Sequence, residues 1–161
     1  MTKSPDHQPS LHELDAPPWL RFEATLMATS RDIRRAYDIR MAHLQLNLSE
    51  ACLLAYVNEH GPVTQTHVAA RIGMSRASAG LMVDALDQRG LLTRTADPQD
   101  RRVWHLVTTS EGHRLAGEVT TIDAAFRAQL RVGLSRSERQ HLASLLVAVQ
   151  RNLAVVLAEH H

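Results

Sequence analysis

The sequence predicts a mainly α-helical fold with one small β-hairpin, and three observations carry that expectation. Apolar residues recur every three or four positions through most of the chain; Ser, Thr, Gly and Pro punctuate that pattern into six segments; and between Gly90 and Thr109 the period shortens to alternation. The chain has 161 residues, 44% hydrophobic and 22% charged, with a formal net charge of +1. That is enough apolar material for a sizeable core and too little net charge for a disordered chain. Cys52 is the only cysteine, so an intramolecular disulfide framework is excluded and a reducing compartment is expected.

Charge and hydropathy say little about partners. Of the 18 basic residues, Lys3 is the one lysine and the rest are arginines, and residues 64–105 hold six Arg against four Asp, for +2. A nucleic-acid argument therefore has to come from placement. Residues 1–18 show no secretory signal, and the longest apolar stretch, 142–158, is cut by Gln150, Arg151 and Asn152. The expectation is a soluble cytoplasmic protein with no membrane partner.

Residues 1–16 are polar and unpatterned and read as a flexible arm. Pro17-Pro18 opens a long helix, with Phe22, Leu26, Ile33, Tyr37, Met41 and Leu44 on one face. Ser49 is the expected cap of the second helix, with Leu48 and Leu53 as its hydrophobic staple, and Gly61-Pro62 ends it. Thr64 caps a third helix ending at Gly73; Ser75 caps a fourth that closes at Gly90. Two short helices joined by a Gly-containing turn form a helix-turn-helix pattern. Leu91–Thr95 and Val103–Thr108 alternate and are separated by a polar run with a central Asp-Pro, a hairpin with an extended tip. Thr109 caps a fifth helix, and Ser135-Arg136-Ser137-Glu138 is a capping box for a sixth that is apolar on nearly every side. A helix apolar all round must be buried all round. Either the two end helices pack on each other within one chain or, as we expect, they build a homodimer.

This order resembles the multiple-antibiotic-resistance regulator (MarR) family of winged helix-turn-helix transcription factors. The residues that carry the resemblance are Thr64-Gln65-Thr66-His67-Val68-Ala69, Met74-Ser75-Arg76-Ala77-Ser78, the run from Val83 to Leu92, Asp97-Pro98-Gln99-Asp100-Arg101-Arg102, and Thr109-Ser110-Glu111-Gly112. The family writes its wing as Asp-x-Arg-Asp-x-Arg and opens the next helix with Thr-x-x-Gly. Gln99 replaces the first wing arginine here, and Leu81 and Ala85 stand where family members often carry Arg. The implied organisation is an arm over 1–16, a helical dimerisation region over 17–47 and 110–161, and a winged helix-turn-helix over 48–109.

The resemblance implies double-stranded DNA as partner. A recognition helix offers its N-terminal residues to the major groove, here Ser75, Arg76, Ala77, Ser78 and Gly80. The Arg76 fork suits guanine O6 and N7. Ser75 is a cap or a base contact, and Gly80 marks close approach to DNA, to a neighbouring helix, or neither. Thr64, Gln65 and Thr66 suit phosphates. In the wing, Arg102 is expected to reach the minor groove with Asp100 holding its guanidinium, while Arg101 and Arg94 face phosphates; the alternative is a solvated ion pair.

Family members commonly release DNA on binding a small phenolic or aromatic carboxylate effector, and Tyr37, Met41, His43 and His113 are candidates to line such a crevice or to serve in core packing. Cys52 reads as a small buried hydrophobe; a redox-responsive regulator is the alternative. The ten histidines show no metal-ligand spacing, so no metal or cofactor is expected. No Gly-rich phosphate loop or nucleophile elbow is present, so no enzyme is expected. A winged-helix module for protein–protein contact is the alternative from a different class.

Overall fold

The computed structural model describes residue 17 and residues 21–159. The arm expected over 1–16 and the Pro18 end of the first helix lie outside the described residues. The elements are α1 (Phe22–Met41), a 3₁₀ turn (Ala42–Leu44), α2 (Leu48–His60), β1 (Val63–Thr64), α3 (Gln65–Arg71), α4 (Arg76–Gln88), β2 (Leu92–Ala96), β3 (Trp104–Thr108), α5 (Ser110–Leu130) and α6 (Arg136–Ala158). The chain divides into two compact units, one to Thr120 and one from Thr121 onward.

The first unit holds most of the buried apolar residues. Leu53, Leu54 and Val57 of α2, Val68 of α3, Val83 and Leu86 of α4, and Leu92 and Leu106 of the sheet are all buried. Helix termini follow local chemistry. Thr64 and Ser75 accept the His67 and Ser78 amides as caps of α3 and α4. Gly73 and Gly90 take positive φ of 70° and 68°. After each, the next amide bonds back over a full turn, Met74 to the Ala69 carbonyl and Leu91 to the Leu86 carbonyl, which satisfies carbonyls the helix end would orphan. These two glycine stops place α3 and α4 as a helix-turn-helix.

Three details differ from expectation. The cap of α2 is Asn47, not Ser49: Asn47 accepts the Glu50 amide while the Glu50 carboxylate accepts the Asn47 amide. The flanking apolar pair is accordingly Leu46 and Ala51, both buried, in place of Leu48 and Leu53. The sheet has three strands, in the order β1-β3-β2, because Val63 and Thr64 pair antiparallel with Leu106 and His105. Cys52 is exposed, not buried; Ala51, Leu53, Leu54 and Val57 turn the buried side of α2 inward and leave position 52 outside it.

Of α1, only Met41 is buried, while Phe22, Met27 and Ile39 are exposed. In the second unit, the Ser135–Glu138 capping box starts α6 as expected. No residue of α6 is buried, and Leu142, Leu145, Leu153, Val156 and Leu157 are exposed. By length and composition alone α6 could cross a membrane, with a mean hydropathy of 1.5 over its best 18 residues. Any 18-residue window of this 23-residue helix contains Gln150, Arg151 and Asn152, side chains that are costly in hydrocarbon.

Candidate nucleic-acid interface

The candidate recognition surface comprises the N-terminus of α4, the start of α3 and the tip of the β2–β3 wing. Arg76, Ala77 and Ser78 are exposed in the first turn of α4. Ser75 is the helix cap, and its hydroxyl lies 2.8 Å from that of Ser78, so both hydroxyls are held in one local pair. Gly80 packs toward α3: a Cβ there would lie 3.2 Å from Gln65 Nε2. Gln65 is thus held at the α3–α4 crossing, Thr64 is occupied as a cap, and Thr66 is exposed.

The wing is tied down by aspartates. Asp97 Oδ1 accepts the amides of Gln99 (2.7 Å) and Asp100 (3.0 Å), and its other oxygen lies 3.6 Å from His105 Nδ1. The two amide bonds hold the Asp97 carboxyl below its ordinary value of 3.8, helped by His105 and opposed by partial desolvation. Asp100 does not grip the Arg102 guanidinium: its Oδ1 accepts the Arg102 main-chain amide at 3.0 Å. An aspartate two residues before an amide closes an Asx turn, so Asp100 shapes the tip rather than aiming the arginine. Arg101 and Arg102 are exposed there and, like Arg76, form no salt bridge among the described residues.

Arg94 is engaged elsewhere. From β2 it donates to Asp87 Oδ2 at 2.8 Å and to Asp84 Oδ1, both on α4. This fork joins wing to recognition helix and occupies the guanidinium expected at phosphates. Arg89, which sequence reasoning passes over, makes a second tie: it donates to the carbonyls of Gln45 (2.7 Å) and Leu44 (3.0 Å), linking the end of α4 to the turn after α1. A surface arginine beside a helix-ending glycine gives no sequence-level sign of such a long-range bond.

The Thr109-x-x-Gly112 motif has a steric cause. The Thr109 hydroxyl accepts the Gly112 amide (3.0 Å) and donates to the Gly90 carbonyl (2.6 Å). A Cβ on Gly112 would fall 1.9 Å from the Leu91 carbonyl oxygen, so only glycine lets α5 sit on the chain entering the wing.

A cleft of about 530 Å³ lies beside this joint, lined by His43, Gln45, Arg89, Glu111, Arg114 and Glu118 among others. Arg114 bonds Glu111 and Glu118 across its wall, and that pairing holds the Glu111 carboxyl below its ordinary value. Of the four expected effector-lining residues, His43 lines the cleft. Met41 is 1% exposed in the core, Tyr37 is half-buried, and His113 is exposed with its Nδ1 2.8 Å from Asn58 Oδ1. Among the described residues no three His, Cys, Asp or Glu side chains gather as for a metal.

Residues 44–103 match the model of the MarR family. The chain is similar to the transcriptional repressor CouR bound to a 23-mer DNA duplex, at 26% identity, covering 80% of this chain and 92% of that one with a TM-score of 0.73. CouR from Rhodococcus jostii RHA1 bound to p-coumaroyl-CoA matches at 25% identity, 78% and 88% coverage and a TM-score of 0.70. The transcriptional regulator PA3341 matches at 29% identity, 83% and 98% coverage and a TM-score of 0.72.

Proposed function

We propose that this chain, whose residues 44–103 match the MarR family model, is a cytoplasmic, sequence-specific transcriptional repressor that binds a pseudo-palindromic operator as a homodimer and leaves it when a small-molecule effector binds. The observation that carries this reading is the placement of three exposed arginines at the start of α4 and the wing tip. Arg94, Arg114 and Arg127 are paired with carboxylates, whereas Arg76, Arg101 and Arg102 are exposed at the helix start and wing tip with no salt bridge among the described residues. Such charges raise no fold stability, but they suit a groove and its phosphates.

The dimer is supported by α6, which has nothing buried and a long apolar surface. A second copy covers such a surface without desolvating Arg151 in lipid. Two recognition helices then address half-sites about 34 Å apart, one turn of duplex. Effector control is supported by the cleft at the Arg89 joint and by the p-coumaroyl-CoA complex of CouR. Sedimentation of the protein with and without its promoter-proximal duplex tests the assembly: two chains free and two chains per operator are expected, and a monomer bound to DNA would overturn it.

A further inference from the structure

Within residues 48–109 the exposed large apolar side chains are Leu81, 74% exposed, and Trp104, 54% exposed. One exposed leucine is ordinary on any surface. These two fall one on each of the elements that the proposed function brings to DNA. On α4 the buried positions are Ala79, Val83 and Leu86; at 3.6 residues per turn, Leu81 and Ala77 fall on the opposite side, one turn apart. Both are exposed, and so a small apolar strip runs along the outward face of the recognition helix, with Arg76 exposed on another face of its first turn. Trp104 opens β3 immediately after the wing tip. Its cross-strand partner is Ala96, too small to cover an indole, and Arg102 lies two residues away.

We propose that Leu81 and Trp104 are the apolar half of the DNA interface: Leu81 packs against a thymine 5-methyl group in the major groove, and Trp104 lies against the sugar wall of the minor groove beside Arg102. The inference rests on the repressor reading and deepens it, because it names what the protein reads besides charge. The major groove displays the thymine methyl as its one apolar group, and an aliphatic side chain is its complement. Minor-groove proteins press apolar side chains beside inserted arginines. Neither side chain displaces counterions, so both add affinity without adding salt dependence. Leu81 then replaces the arginine common in the family at this position by a different readout.

The test uses full-length protein and a fluorescein-labelled duplex of its own promoter-proximal DNA. Thymines are replaced one at a time by deoxyuridine, which removes only the methyl. At one position per half-site the wild type loses affinity roughly four-fold, the worth of one methyl group removed from water, and Leu81→Ala no longer distinguishes thymine from deoxyuridine there. In a Trp19→Phe background, where Trp104 is the remaining tryptophan, DNA shifts and quenches the emission; Trp104→Ala weakens binding with an unchanged slope of log K against log salt, and Trp104→Phe restores most of it. If the duplex binds with unchanged Trp104 emission, and Leu81→Ala keeps its discrimination, the inference fails while the repressor reading stands. If these variants change sedimentation instead of DNA affinity, the residues belong to an interface between copies and the inference fails. If no duplex binds at low salt, the repressor reading fails with it.

Discussion

Replacing Gly112 by alanine tests how α5 is seated on the winged helix-turn-helix. The added Cβ would lie 1.9 Å from the Leu91 carbonyl oxygen and 2.9 Å from its carbon, both main-chain atoms. Even a tight 3.0 Å approach requires a shift of 3.0 − 1.9 = 1.1 Å, and neither a helix first turn nor the entry to β2 can absorb that alone. Overpacking of this kind costs about 1–3 kcal/mol or more. Displacing the helix also strains the Thr109 bonds to Gly112 and Gly90, a cap worth about 1 kcal/mol. Alanine returns about 1 kcal/mol of helix propensity. The net is a loss of about 1–3 kcal/mol, or a fall in Tm of about 2–12 °C for a chain of this size. Gly117 is the matched control: it lies in the same helix, and a Cβ there meets nothing within 4 Å. Differential scanning calorimetry should show Gly117→Ala unchanged or slightly raised and Gly112→Ala clearly lowered. Equal Tm values for the two variants would refute the steric reasoning.

Three further outcomes follow from the interface. Arg102→Ala should weaken specific binding and reduce the slope of log K against log salt by about 0.9 for each phosphate that Arg102 neutralises, with the assembly state unchanged; an unchanged slope and affinity would remove Arg102 from the interface. Arg94→Ala should lower affinity with no change in slope, because its guanidinium joins Asp84 and Asp87 rather than a phosphate; a slope lower by about one charge would contradict that. The wing should also respond to acid. The Asp97 carboxyl is held below 3.8 by the Gln99 and Asp100 amides, so its contribution is present above that value and is lost as pH falls through the lower folded value. The amide resonances of Gln99 and Asp100 should therefore titrate with a midpoint below 3.8; a midpoint above it would show that the carboxylate does not hold the turn.

What is legible in the sequence is what is local. Gly73, Gly90, Ser75, Thr109 and the Ser135–Glu138 box each act within one helix turn, and each sits where its residue type predicts. The Asn47–Glu50 pair carries the same signature, but the adjacent Ser49 offers a competing cap. Tertiary partners are not legible. Strand β1 is two residues long and exists through its pairing with β3, and the bonds of Arg89 and Arg94 depend on how helices and strands pack. The apolar neighbours of Cys52 suggest burial, but they do not say which side of α2 faces the core. The positions of Arg76, Arg101 and Arg102 follow from the resemblance; their exposure comes from the fold.

DNA recognition is tested most directly by titrating the purified protein against its own promoter-proximal DNA at two salt concentrations, with random DNA as competitor. Binding should survive the competitor and weaken steeply between about 50 and 200 mM salt. Binding no tighter than to random DNA would place the operator elsewhere or leave the winged helix to a protein partner, and no binding to any DNA at low salt would contradict the repressor reading in favour of the protein partner.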